Sequence, residues 1–396
     1  MMDEQYEPND EESWPQFDED EIAAAVAVLR LGRVNSWTGP ETGLFEEQFA
    51  SYCGRRFGIA VANGTVALEL ALHAIELHPG DEVIVPARSF FATAGCVVRM
   101  GGVPVFADID LETQTLDATS VLSCWTSRTR AVLCVHLAGH PCDMDPLVEL
   151  CRSRGVALIE DCAQAHGARY RDRPVGSFGD IGCFSFCQDK IMSTGGEGGM
   201  LVLDSETAWR RAWAFKDHGK SYDTVFEVEP PPGFRWYHET FGSNFRLTEL
   251  QAAIGRIQLG KLDDWVQRRR RNARIVHERV ADHPLLRFPF ESPWAYHAFY
   301  KLYAFVRPER LRADWSRDRL TAELSERGVP SISGSCPEIY REKAFAESPF
   351  GPGRRLPIAR EIGETSFLIQ VHPTLRATTM ERRASVLRDA CDQALA

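Results

Sequence analysis

Glu82-Val83-Ile84-Val85-Pro86 carries three apolar residues in succession, without the in–out alternation of a half-exposed strand. A strand of that kind needs cover on both faces, which is the situation of a parallel sheet between helices. Comparable runs recur around it: Ile59–Ala62, Val103–Ile109, Ala131–Leu137, Ala157–Asp161, Gly182–Phe186 and Met200–Leu203. Helix-like segments, Thr65–Glu76 and Met144–Arg154 among them, separate the early ones. The alternation predicts an α/β domain with a mostly parallel, seven-stranded sheet sandwiched by helices.

Past Leu247 the texture changes. Leu247–Ala281 has apolar residues at helical spacing and reads as one or two long helices, with Arg268–Arg271 as a solvated face. Tyr300–Val306 reads as a strand, and Asp318–Arg327 and Ile358–Glu364 as helices. A smaller C-terminal α+β domain is therefore expected. The 396 residues divide into a large domain over 1–255 and a small one over 256–396. Val228–Gly233, rich in Glu and Pro, reads as a loop, either a plain excursion or a lid.

Composition narrows the function classes. A net charge of −11 argues against nucleic acid or an anionic membrane as partner. The longest apolar runs are strand-length, too short to cross a bilayer. Met1–Asp20 is acidic and polar, unlike a secretory signal, so a cytoplasmic location is expected. Eleven cysteines, with no CxxC pair and no zinc-site partner set, read as reduced packing residues, and no metal is expected.

Only six of the 45 basic residues are lysine: Lys190, Lys216, Lys220, Lys261, Lys301 and Lys343. Lys190 lies just before Gly195-Gly196-Glu197-Gly198-Gly199. What a lysine offers and an arginine does not is a proton it can shed to become a nucleophilic amine.

Open α/β sheets place ligands at the carboxyl ends of their strands. The polar residues there are Asn63-Gly64-Thr65, Arg88-Ser89-Phe90, Asp161 with Gln164, and Ser185 with Lys190. Gly64-Thr65 stands where a helix begins and can hold a phosphate, or can simply be part of an N-cap. Asp161 adjoins Glu160, and two neighbouring acids are costly to bury without partners. Phe90 by itself reads as a core residue. Together the groups match the needs of pyridoxal phosphate: a lysine for its aldehyde, a carboxylate for its pyridine nitrogen, a phosphate cup and an aromatic face.

The chain resembles the DegT-type sugar aminotransferases, within the aspartate-aminotransferase superfamily of fold type I. The resemblance runs from about Trp14 to Thr374. It rests on Asn63-Gly64-Thr65, Gly80–Pro86, Glu160–Gly167, Gly179–Phe186, Lys190 with Gly195–Gly199, His218-Gly219, Asn244-Phe245-Arg246, Glu249–Ala253 and His372-Pro373-Thr374. It implies pyridoxal phosphate, with pyridoxamine phosphate between the two half-reactions. It implies Lys190 as the Schiff-base lysine and proton carrier, Asp161 on the pyridinium nitrogen, Gln164 on the ring hydroxyl and Phe90 stacked on the ring. Gly64, Thr65 and Ser185 would hold the phosphate, with Asn244 arriving from the second subunit of a homodimer. His166 and His218 fall in matched segments and are weaker substrate candidates.

Two departures stand out. Cys187-Gln188-Asp189 precedes the lysine where many relatives carry tyrosine, proline or threonine, and Arg88 replaces a more usual apolar or aromatic residue. Arg88 could meet a substrate phosphate or carboxylate, or form a salt bridge. The expected reaction moves an amino group from L-glutamate or L-glutamine to a keto sugar, preferably nucleotide-linked. A keto-cyclitol or sugar phosphate is the nearest alternative acceptor. Rivals from other classes are a pyridoxamine-dependent sugar dehydratase, whose lysine is replaced by histidine, and a non-catalytic regulator.

Overall fold

The computed structural model describes residues 12–229, 232–289 and 292–396. Part of the expected loop Val228–Gly233 and most of the acidic N-terminus therefore lie outside the described residues. The seven expected strands are all present: β1 (Phe57–Val61), β2 (Glu82–Pro86), β3 (Val103–Ala107), β4 (Thr129–Val135), β5 (Ala157–Asp161), β6 (Ile181–Ser185) and β7 (Gly199–Leu203). They form one sheet in the order β1-β7-β6-β5-β4-β2-β3. Strand β7 pairs antiparallel with both β1 and β6, and the remaining pairs are parallel.

Residue alternation along β2 explains its uninterrupted apolar run. Val83 and Val85 face one side of the sheet, in a core with α3 (Gly64–Ala74) and α4 (Ala92–Arg99). Ile84 faces the other, against Met144, Leu147 and Cys151 of α5 (Met144–Arg154). Further along that second face, α2 (Glu41–Tyr52) inserts Phe45 and Phe49 against Phe184, Phe186 and Met200. Helices α1 (Glu19–Leu31), α2, α4 and α6 (Glu206–Lys216) were not expected from the sequence. Their apolar stripes are short and broken by glycine or polar residues.

Residues Glu249–Val280 form a single 32-residue helix, α7, opened by a capping box between Thr248 and Gln251. Its middle turns pack Leu262 and Val266 with Phe45 and Phe49, and its last turns pack Val276 and Val280 with the small-domain core. The expected boundary at residue 255 thus falls within a helix that both cores share. The small domain pairs β8 (Leu302–Val306) with β9 (Ser366–Ile369), covered by α8 (Arg317–Glu326), α9 (Pro357–Thr365) and α10 (Ala377–Ala394). Strand β9 and helix α10 were not anticipated.

The arginine run corrects its reading as a solvated face. Arg268 and Arg271 are exposed, but Arg269 is 1% exposed. Four consecutive helical residues sweep most of the circumference, so one of them has to face inward. All eleven cysteines are free, and eight of them are buried. No described helix is long and apolar enough to cross a membrane.

Phe49 is 0% exposed and touches four aromatic neighbours in the sheet–helix core. Phe49→Ala is expected to lower stability by about 3–5 kcal/mol, read as a lower urea midpoint at unchanged slope.

Candidate active site

Strand β5 ends in two acids, and strand alternation sends them to opposite faces. Glu160, fully buried, accepts hydrogen bonds from the backbone N–H groups of Gly176, Phe178 and Gly179, each at 2.7 Å. It also pairs with His136 Nε2 at 3.0 Å. His136 Nδ1 accepts the Cys142 amide at 3.0 Å, which places the imidazole proton on Nε2, donated to Glu160. Burial by itself would raise the Glu160 carboxyl, but His136 and these amides outweigh it and hold the group below its ordinary range. Glu160 is thereby a structural anion, with its lone pairs already used.

Asp161 is placed differently. It is 4% exposed and has two donors, the Thr93 hydroxyl at 3.0 Å on Oδ2 and the Ala163 amide at 3.1 Å on Oδ1. Burial pushes its carboxyl up, against the pull of those donors and of Lys190. A cationic N–H brought against Asp161 would restore the ionised form. A protonated pyridine nitrogen is such a group.

At the end of β1, Asn63 is the N-cap of α3, its Oδ1 accepting from Val66 N at 3.0 Å. The cap and the phosphate cup are compatible. Gly64 and Thr65 are the first helical residues, and their N–H groups have no intrahelical acceptor. Gly64 lies flat against Ser185, where an added Cβ would stand 2.5 Å from Ser185 Cβ and 3.0 Å from its hydroxyl. That close approach brings the Ser185 hydroxyl to the helix start, an arrangement with the donors that a small anion needs.

Lys190 sits in a turn beyond β6. Its N–H donates to Cys187 O at 3.0 Å, and its carbonyl accepts from Trp14 Nε1 at 2.8 Å. The loop folds back through Gly196 at φ +115°, whose carbonyl accepts from Gln188 N at 2.9 Å. The lysine side chain is largely enclosed, with Nζ 3.6 Å from Asp189 Oδ1 and 5.0 Å from the Tyr300 ring centre. Gln164, 6% exposed, has its Oε1 held by the Ala138 amide at 2.8 Å.

The other expected residues sort by exposure. Phe90, read as core from its side chain alone, is 65% exposed, because it follows the strand end where the sheet face opens. Asn244 is exposed, in a segment that pairs with Asp217. His218 is exposed at φ +62°. His166 is buried between Phe184 and Phe186, and burial, with Lys190 and Arg269 near, pushes its pKa down to about 3. It is neutral and enclosed by aromatic side chains. Arg88 makes no ion pair among the described residues, correcting the salt-bridge alternative. Its Nη2 donates to Ser366 Oγ at 3.2 Å, its guanidinium covers Tyr303, and Nε and Nη1 are buried without a partner.

Sequence reasoning missed Thr93, Trp14 and Tyr300. Ser89 and Thr93 are four apart and their hydroxyls meet at 2.9 Å, a helical spacing that could have signalled the pair. A groove of about 720 Å³ lies at the opposite edge of the sheet beside Arg55, Arg130 and Arg211. Those arginines are already spent on Asp204, Ile75 O, Ala74 O and Glu76.

Residues 15–388 match the DegT/DnrJ/EryC1/StrS aminotransferase family. The chain belongs to that family. It is an aminotransferase of fold type I, and the family's enzymes depend on pyridoxal phosphate. An aminotransferase from Psychrobacter cryohalolentis has a crystal structure that superposes with a TM-score of 0.95 at 45% identity, over 96% of this chain and 99% of that one. The UDP-N-acetyl-3-dehydro-alpha-D-glucosamine 3-aminotransferase of Acidithiobacillus ferrooxidans is 34% identical over 93% of both chains. The L-glutamine:2-deoxy-scyllo-inosose aminotransferase of Streptoalloteichus tenebrarius is 38% identical over 84% of this chain and 79% of its own.

Glu160→Gln puts an amide among three backbone N–H donors. It is expected to cost about 1.5–3 kcal/mol at neutral pH. Because the native carboxyl is held low, its contribution is present above about pH 4 and is lost as pH falls through the folded value. The stability gap between parent and variant, read from urea unfolding, is therefore expected to close on acidification.

Proposed function

We propose that this chain transfers the amino group of L-glutamate or L-glutamine to the ketone of a nucleotide-linked sugar, acting in the cytoplasm as a homodimer. The observation that carries the reading is the convergence of Asp161, Lys190 and the Gly64–Ser185 cradle at one sheet edge, from the ends of β5, β6 and β1. Relatives named for a nucleotide-linked dehydro sugar and for a cyclitol ketone support the acceptor class and its nearest alternative.

Pyridoxal phosphate supplies an electron sink that makes the donor's α-hydrogen removable. Asp161, buried and held by Thr93 and Ala163, would keep the pyridine nitrogen protonated. Gln164 would bond the ring hydroxyl, Phe90 would cover the ring face, and Gly64, Thr65 and Ser185 would hold the phosphate. Lys190 Nζ takes the proton from the donor's α-carbon. In the second half it returns a proton to the former carbonyl carbon of the sugar.

The proposed dimer rests on the segment that carries Asn244. Phe234, Trp236 and Phe241 are 76%, 82% and 99% exposed there, an apolar surface that a second copy would cover. Asn244 would then reach the partner's phosphate cradle.

The test is a visible spectrum of the purified protein with pyridoxal phosphate, before and after L-glutamate or L-glutamine. A bound chromophore bleached by one donor, then restored by a keto sugar or keto-cyclitol, is expected. A protein that never binds the cofactor overturns the reading. Lys190→Ala is expected to cut turnover by about 10²–10⁴-fold or more. Thr93→Val removes one of the two donors on Asp161. It is expected to weaken pyridoxal phosphate binding about tenfold or more in a titration, while Thr93→Ser stays near the parent.

A further inference from the structure

Asp189 is the departure nearest the reactive amine, and the fold gives it a defined place. Its Oδ1 lies 3.6 Å from Lys190 Nζ, and its Oδ2 accepts a hydrogen bond from the Tyr300 hydroxyl. Tyr300 is itself fixed: it is 6% exposed, and its carbonyl accepts from Arg269 Nη1 at 3.2 Å. Lys301, the residue between Tyr300 and strand β8, has Nζ 4.7 Å from the same ring centre that Lys190 approaches at 5.0 Å. Two amines therefore face one ring, and Asp189 is the carboxylate that meets them.

We propose that Asp189 and Tyr300 form a positioning pair for the free amine of Lys190. Asp189 tethers the amine when it is not covalently engaged, and the Tyr300 hydroxyl shares the same carboxylate. The inference rests on the aminotransferase reading above, since only there does the lysine alternate between an engaged and a free amine. In the free state a four-carbon side chain has many rotamers, and a counter-ion within 4 Å of Nζ narrows them.

The charges that face Lys190 come from five elements. Asp189 lies on its own turn, Asp161 ends β5, His166 follows that strand, Tyr300 and Lys301 precede and begin the approach to β8, and Arg269 lies on α7. His166 is neutral, so the local sum is set by two carboxylates against Lys301 and Arg269. Burial would raise the Asp189 carboxyl, yet Lys190, the Tyr300 hydroxyl and Lys301 together hold it below its ordinary range. Burial and the neighbouring cations Arg269 and Lys190 lower the Lys301 amine to about 8, against the attraction of Asp189.

The sign of each substitution follows. A carboxylate beside an amine favours the protonated form, so Asp189→Asn makes Lys190 reactive at lower pH. Removing the hydrogen bond that draws on Asp189 strengthens its hold on the amine, so Tyr300→Phe makes Lys190 reactive only at higher pH. A loosened loop would not move the two variants in opposite directions.

The experiment is competitive acetylation of the cofactor-free protein across pH, with the Lys190 peptide quantified by mass spectrometry. The chain's six lysines keep the peptides separable. A fall of about one pH unit in the Lys190 midpoint is expected for Asp189→Asn, a rise for Tyr300→Phe, and near-parent behaviour for Asp189→Glu. An unmoved midpoint in Asp189→Asn, or shifts of the same sign in both variants, overturns the proposal. Pyridoxal phosphate is then titrated into the same samples. Failure of the parent to bind it counts against the aminotransferase reading, whereas binding with an unmoved Lys190 midpoint counts against the positioning pair alone.

Discussion

Burying two adjacent carboxylates at the end of one strand is the constraint around which this molecule is arranged. Neither Glu160 nor Asp161 can sit in a core without donors, and the strand's alternation prevents them from sharing any. Glu160 is met by three amides of one loop and by His136, so the loop after β5 has to return beneath the sheet to Gly176–Gly179. Asp161 is met by the first turn of α4 and by its own following turn. One acid fixes the scaffold, and that scaffold holds the other, short of partners, at the open edge.

The difference between those two acids was not legible in the sequence. Both follow the same apolar run, and residue type does not say which face of β5 meets a loop and which meets a cleft. The strands themselves were legible because burial on both faces imposes long apolar runs, and Val83-Ile84-Val85 shows how alternation divides such a run between two cores. Helices α1 and α2 were not, since their partners lie some 200 residues away: Glu249 accepts from Glu41 N and from Thr42, and Lys261 gathers Asp18, Asp20 and Glu21. A pattern read within a window carries no trace of a partner that distant. Phe90 reads as core from its side chain alone, and only the resemblance gave it a place on a cofactor ring, because an exposed aromatic at a strand end has the same side chain as a core one.

Arginine and lysine are divided between different tasks here. Arg269 enters the interior as a flat, stacking group, its guanidinium 5.0 Å from the Trp14 ring centre and one arm on Tyr300 O. Arg55 bridges Gly176 O and Asp204 in the same manner. A planar fork with fixed donors suits such bridges, and an ammonium group does not. With arginine taking the structural bridges and most of the surface, the few lysines that face the cleft stand out as amines rather than as general cations.

The turn that carries Lys190 is held by segments far from it in sequence. Its carbonyl is held by Trp14, which packs edge-on against Trp265 and lies under Arg269 on α7. Arg269 holds the carbonyl of Tyr300, and the Tyr300 hydroxyl returns to Asp189, the residue before the lysine. These contacts form a closed ring through the N-terminal segment, the long helix and the approach to β8. A shift of the small domain relative to the sheet would have to break one of them, because side-chain stacking and single hydrogen bonds give little room for sliding. The geometry at Lys190 is thus set by how the two cores share α7, and a strand-end lysine becomes a positioned one only when both cores are in place.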